Sequence, residues 1–231
     1  MKRFYRGLIY GAGILVLAMG LTLNTKTGLG VSPILSVSYS VYQITGISMG
    51  DVTFIQYCIF VAAEFALRGK NRRWYDLLQL PFSLVFSRLL NVFDRLVAYD
   101  PLTHGLVSNL LMLALAIGVT GVGITMTVNM RLVPNPGDGI VQALAERIGR
   151  DQGFTKNIFD IGCVATTCIL CMVEVGHIVG VGVGTIIAML GVGRAVAVVN
   201  YFFKDKMCRA AGLDGAPAKP RTECERELSR E

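Results

Sequence analysis

Long apolar stretches separated by short polar clusters run through most of this chain. Six of them, over about residues 6–24, 52–68, 76–97, 105–128, 156–173 and 178–203, are long enough to cross a hydrocarbon core of ~30 Å and read as helical spans. Two shorter stretches, Pro33–Thr45 and Pro136–Ile148, have 13 residues each, about 20 Å as helix, which is too short to cross. Each begins at a proline, whose missing N–H costs nothing in a first helical turn, and each is followed by a glycine, Gly46 or Gly149, suited to ending a helix. The expected class is therefore all-α, with six spanning helices and two short helices that are re-entrant or interfacial.

The two short helices belong to an internal repeat. Gly20, Thr22, Leu29, Pro33, Gly46, Gly50 and Ile55 return 103 residues later, without a gap, as Gly123, Thr125, Leu132, Pro136, Gly149, Gly153 and Ile158. This divides the chain into a first repeat, 1–103, a second, 104–203, and a polar segment, 204–231, whose composition predicts a disordered tail.

Lys and Arg decide how the repeats are oriented. Clusters at Lys2, Arg3 and Arg6, at Arg68, Lys70, Arg72 and Arg73, at Arg147, Arg150 and Lys156, and at Lys204, Lys206 and Arg209 all fall on one side if only the six long segments cross. The positive-inside tendency makes that side cytoplasmic, with both chain ends there and Lys26 as the one exception. Eight crossings would place the Arg68–Arg73 cluster outside. With three spans per copy, the second repeat enters the membrane from the opposite face, so the repeat is inverted, an arrangement common among secondary transporters.

Composition places the chain among membrane proteins. Hydrophobic residues make up 53% of the chain and charged residues 16%, and mean hydropathy is +0.55. The first apolar run is longer than a usual signal-peptide core and recurs mid-chain, so it reads as a retained span. The net charge of +6 is spread over segment ends and forms no basic-aromatic patch, which argues against a nucleic-acid partner. Cys168 and Cys171 have metal-pair spacing without a second pair and read as packing residues; His104 and His177 fall in outer loops without companion ligands. No metal, cofactor or catalytic pair is expected.

In order along the chain, Gly28-Leu29-Gly30-Val31-Ser32-Pro33, Gly46-Ile47-Ser48-Met49-Gly50, Leu78-Gln79-Leu80-Pro81, Phe93-Asp94, Pro136-Gly137-Asp138-Gly139, Phe159-Asp160 and Gly182-Val183-Gly184-Thr185 resemble the YczE/YyaS/YitT family of bacterial integral membrane proteins. The resemblance covers about residues 5–203 and implies a multispanning fold in a bacterial inner membrane without implying a catalytic residue. Ile34 stands where many members have an aromatic residue, and the chain ends before the soluble domain of the YitT branch.

Several polar residues are candidates for a site. Ser32 and Asn135 precede Pro33 and Pro136, so they are placed to cap the two short helices, and the N–H groups at those helix starts could receive an anionic or polar group; Asp138 lies in the first turn of the second. Arg88 is deep in its span, where a charge costs about 2.5–3.5 kcal/mol, and forms one stripe with Asn91 and Arg95. A structural alternative pairs Arg88 with Glu64 or Asp94. Arg194 either snorkels to the cytoplasmic interface or, as the repeat-related counterpart of Asn91, could meet it near the pseudo-axis. Asp160, one helical turn after Lys156, is either a local ion pair or a proton-coupling carboxyl. Gly180-Val181-Gly182-Val183-Gly184-Thr185 lacks the lysine of a phosphate loop and reads as a close-packing segment.

The leading expectation is a carrier working by alternating access, with the lipid bilayer as its surroundings and a small polar or anionic solute as substrate. The competing expectation is a membrane scaffold or regulator, and an enzyme is not expected. A homo-oligomer is left open. A polar cavity between the short helices would favour the carrier, and a dry, packed centre the scaffold.

Overall fold

The computed structural model describes residues 2–69 and 74–213. Eight α-helices follow one another: α1 (Lys2–Lys26), α2 (Pro33–Thr45), α3 (Met49–Arg68), α4 (Gln79–Leu96), α5 (Leu106–Asn129), α6 (Pro136–Ile148), α7 (Gln152–Glu174) and α8 (Val183–Ala211). A short 3₁₀ segment, Trp74–Leu78, leads into α4, and the described residues contain no strand. The protein is an all-helical, multispanning membrane protein, with α1, α3, α5, α7 and α8 each long and apolar enough to cross. The remaining expected span, 76–97, is the 3₁₀ segment and α4, which carries Arg88, Asp94 and Arg95.

The short helices keep the boundaries their sequences predict. Both α2 and α6 start at proline and end where a glycine, Gly46 at φ 73° or Gly149 at φ 69°, turns left-handed and donates its N–H to the last turn. Their starts are capped differently. The Asn135 side chain accepts from Gly137 N–H, whereas the Ser32 hydroxyl makes no cap hydrogen bond and only its carbonyl accepts, from Leu35 N–H. The next helices start on a polar cap as well, Ser48 accepting from Asp51 N–H and Asp151 from Gly153 and Phe154 N–H. Asp151→Ala is expected to cost about 1 kcal/mol, seen as a lower unfolding midpoint in detergent.

Packing divides the helices into two groups. In the first, α1 and α5 lie against each other, with α8 beside both and α4 on the other flank of α1. Small residues set the approach: a Cβ on Gly20 would lie 2.6 Å from Thr120 N, and one on Gly123 2.5 Å from Leu17 N. In the second, α2 and α6 each pack against both α3 and α7, closing a ring of four helices. The buried core of Leu17, Leu21, Leu35, Tyr57, Phe82, Phe86 and Leu90 joins the groups. Tyr57, Phe86 and Phe82 stack in succession, with centroids 5.9 and 5.8 Å apart.

The chain segment before α2 is fixed by the glycine-rich segment before α8. Val31 N–H donates to Gly180 O at 2.9 Å and Gly184 N–H to Leu29 O at 2.7 Å, an approach that the glycines allow. Thr185 Oγ1 accepts from Gly182 N–H, so this segment is a packing element, as its sequence predicts. The outer faces stay apolar, with Val183, Ile186, Leu190, Val198 and Phe202 of α8 all exposed, as a lipid-facing helix requires. Beyond residue 203 the chain differs from expectation: α8 continues to Ala211, which is buried, and Gly212 ends it against Lys2 of α1. The rest of the expected tail, and Lys70, Arg72 and Arg73, lie outside the described residues.

Candidate functional site

The helix starts of α2 and α6 meet in the centre of the ring. A Cβ on Gly137 would lie 3.0 Å from the Ile34 side chain, and two neighbouring residues of α3 hold the two starts in place. Gln56 donates to Ile34 O at 2.8 Å and accepts from Ser38 Oγ, while the fully buried Tyr57 faces Asn135. The N–H groups at the start of α6 are occupied internally: Gly137 donates to the Asn135 side chain, and Asp138 and Gly139 donate to the Asn135 carbonyl. Pro33 and Pro136 are buried beside these contacts.

Between α3 and α7, bounded by α2 and α6, lies a cavity of about 520 Å³. Ile59, Phe60, Ile148, Phe154, Ile158 and Phe159 make its wall almost wholly apolar, with Gln56, Thr155, Thr166 and Cys163 as small polar additions. Phe60 and Phe159 meet edge to face across it, with centroids 5.3 Å apart. Ile59, Ile148, Phe154 and Ile158 are all exposed at its rim, so it opens on the lipid-facing surface. Arg150 stands at one end, its guanidinium 5.9 Å from the Phe154 ring centroid. Between the two short helices themselves the starts pack on each other and no polar cavity lies among the described residues; the cavity is beside them, where they flank α3 and α7, and its lining is apolar. A volume of this size suits a small ligand held by shape and apolar contact with a few orienting polar groups.

The other candidate residues are dispersed. Asp160 is buried and both its oxygens accept from Lys156, at 3.1 and 3.2 Å. Asp138, half-buried on α6, faces this pair across the α6–α7 contact. Arg88 is exposed and pairs at 2.8 Å with Asp51 at the start of α3, in place of Glu64 or Asp94. The reason is the tilt of its stripe toward the α3 start, where Asn91 accepts from Gly50 N–H and donates to Ser48 Oγ. Asp94 pairs instead with Lys26, at 2.7 Å. Arg194 is exposed on α8 and forms no ion pair with a described residue, and Asn91 is occupied by Ser48 and Gly50.

Two groups were not legible as site residues from sequence. Ser36, Ser38 and Ser40 of α2 are fully buried and point to other elements: Ser36 Oγ lies 2.7 Å from Thr167 Oγ1, and Ser40 donates to Val179 O. Three serines at even spacing in a short apolar helix were the available signal. The second group surrounds Glu64, whose only sequence signal was a carboxylate within an apolar stretch. Glu64 and Gln79 are fully buried, and Gln79 Nε2 donates to Glu64 Oε2 at 2.8 Å.

Residues 4–201 match the family of unknown function DUF6198. The chain is also similar to a protein of Bacillus subtilis (strain 168) described as the uncharacterized membrane protein YczE, 22% identical over 153 residues that cover 66% of this chain and 68% of that one. No solved structure matches. The span of the first match, almost the whole described membrane region, shows that this chain belongs to the DUF6198 family of YczE-type membrane proteins.

Proposed function

We propose that this protein is a carrier in which two inverted halves of a six-span fold, 1–103 and 104–203, alternately expose the cavity between α3 and α7. The observation that carries the reading is where repeat-related residues sit. Gln56 and Phe159, Ile59 and Gly162, and Phe60 and Cys163 are each 103 residues apart, and all six line the cavity. A cavity whose wall comes from paired positions of both halves lies on the axis relating them, the usual place of a substrate site in inverted-repeat transporters.

Other contacts support the same axis. The Gly20 to Thr120 approach and the Gly123 to Leu17 approach exchange under the 103-residue offset, as do the Gly139 to Glu64 and Ser36 to Thr167 contacts. Ile34 and Gly137 exchange with each other. Placed by the positive-inside tendency, α4 is the sixth span, both chain ends are cytoplasmic, and the Arg150 end of the cavity faces that side. The apolar wall, lipid-facing opening and single cation define the substrate class as a small amphipathic molecule, its apolar part in the cavity and an anionic end at Arg150. This narrows the expected polar or anionic solute to one with an apolar body. Asp138 and the helix starts then hold the ring together more than they contact the solute.

Gly162 provides the test, because a Cβ there meets nothing within 4 Å and a large side chain enters the cavity without disturbing the backbone. Gly162→Phe is expected to fold normally and to lower uptake of medium-chain alkyl carboxylates into proteoliposomes at least tenfold. Neutral alkanols and alkyl amines serve as comparison solutes. Equal carboxylate flux in Gly162→Phe and wild type would overturn the site assignment. A scaffold, the competing reading, gives no protein-dependent flux for any of the three classes.

A further inference from the structure

Where α3, α4 and α6 meet, at the end of α3 away from its N-cap, one guanidinium serves three carboxyl groups. Arg68 Nη1 is 2.5 Å from Asp76 Oδ2, its Nη2 is 3.2 Å from Glu64 Oε1, and its Nε is 3.8 Å from Glu146 Oε2. Glu64 is fully buried, and the side chains of Arg68 and Asp76 are nearly so. Asp76 holds the closest contact, Glu146 is the most exposed and the most distant, and Glu64 combines the greatest burial with a longer ion contact than Asp76 has. Among the described residues Arg68 is the only cation in the group, so full ionisation sets its single charge against two buried carboxylates, Glu64 and Asp76, which is costly.

Gln79 shows how that excess is relieved. Its side chain is fully buried and its Oε1 accepts no hydrogen bond, although Nε2 donates to Glu64 Oε2. A carboxamide presents an acceptor and a donor in nearly the same shape, so rotation by half a turn exchanges them. With Glu64 ionised, Nε2 donates to the carboxylate. With Glu64 protonated and the carboxamide rotated, the carboxyl O–H donates to Oε1, so the Glu64–Gln79 contact pairs a donor with an acceptor in either protonation state.

We infer that Glu64 and Gln79 form a proton-binding site, with the proton carried on Glu64 Oε2 and held by Gln79 Oε1. The groups facing it are Arg68 on the same helix, Asp76 of the 3₁₀ segment and Glu146 of α6, together with the Gly139 backbone. Gly139 ties the site to the cavity: a Cβ there would lie 2.5 Å from Glu64 Oε2 and 2.8 Å from Gln79 Oε1. The α6 backbone therefore rests directly on the atoms that exchange the proton, and α6 also walls the cavity through Leu144 and Ile148. The coupling of this proton to transport rests on the carrier reading above; the proton site itself does not. Asp160 is less suited to the role, because both its oxygens are bonded to a cation of its own, Lys156.

Infrared difference spectroscopy of the protein in lipid vesicles, stepped from high to low pH, tests the site without any transported solute. Wild type is expected to gain a carboxylic C=O band as pH falls. Exposed carboxyl groups contribute to this band as well; Glu64→Gln should remove one component of it, Asp160→Asn should leave that component, and Gln79→Leu should move it to higher frequency by removing the acceptor. An identical pH-difference spectrum in wild type and Glu64→Gln would overturn the inference. Should Glu64→Gln not fold, an unshifted band in Gln79→Leu overturns it equally. A titrating Glu64 band in a protein without carboxylate flux would retain the proton site and discard the carrier.

Discussion

Truncating Arg68 to alanine is expected to destabilise the folded protein by about 3–5 kcal/mol, the range for removing one partner of a buried ion pair. Its guanidinium is the shared partner of Glu64, Asp76 and Glu146, and the first two are buried. Loss of the cation leaves those carboxyl groups facing one another across the α3–α4 junction, with Gln79 as the one remaining donor to Glu64 among the described residues. Denaturant unfolding in detergent should show the loss as a lower midpoint. Lysine should restore only part of it, because an ammonium is a point donor and cannot span several carboxyl groups as the planar guanidinium does. Arg68→Ala with wild-type stability would show that the network is hydrated and energetically slight. Asp76→Asn, which removes one acid and keeps the cation, should be milder than Arg68→Ala.

The second large effect is expected at the crossing of α1 and α5. Gly123→Ala places a methyl group 2.5 Å from Leu17 N and 2.6 Å from Leu17 Cα, and Gly20→Ala places one 2.6 Å from Thr120 N. These neighbours are backbone atoms in a helix, so relief requires the two helices to separate. Overpacking of this kind costs about 1–3 kcal/mol and occasionally more, and the upper part of that range is expected because no side chain can give way. Gly118→Ala on the same helix is the control. Nothing lies within 4 Å of its Cβ, and replacing glycine by alanine favours the helix by up to about 1 kcal/mol. Equal stability of Gly118→Ala and Gly123→Ala would show that the helices do not cross at Gly123.

The boundaries of the two short helices were legible in the sequence, whereas α8 starts later and runs further than its apolar stretch predicts. Both 13-residue helices occur over the expected residues, because a first-turn proline and a following left-handed glycine are local backbone constraints that tertiary packing rarely overrides. Side-chain partners were much less legible. Arg88 pairs with Asp51 and Asp94 with Lys26, choices fixed by how α3 and α1 approach α4, which no local spacing encodes. The Lys156–Asp160 pair was legible because both residues lie one turn apart on a single helix. The cavity's apolar character was hidden for a different reason. Ile59, Phe60, Ile158 and Phe159 look the same in sequence whether they face lipid, a neighbouring helix or an opening. Glu64 and Gln79 come together across 15 residues and the 3₁₀ segment, so only the folded chain reveals the pair.

On the proposed inverted repeat, the contacts Glu64 to Gly139 and Ser36 to Thr167 correspond in position and are unequal in chemistry. On the proposed exchange, parting α6 from α3 lets water reach a set of formal charges, whereas parting α2 from α7 lets it reach two hydroxyls. Electrolyte concentration and acidity therefore act as handles on one mouth of the molecule and leave the other nearly indifferent. A protein assembled from two similar halves would in this way acquire a preferred direction, set by a handful of side chains on one face of the bilayer.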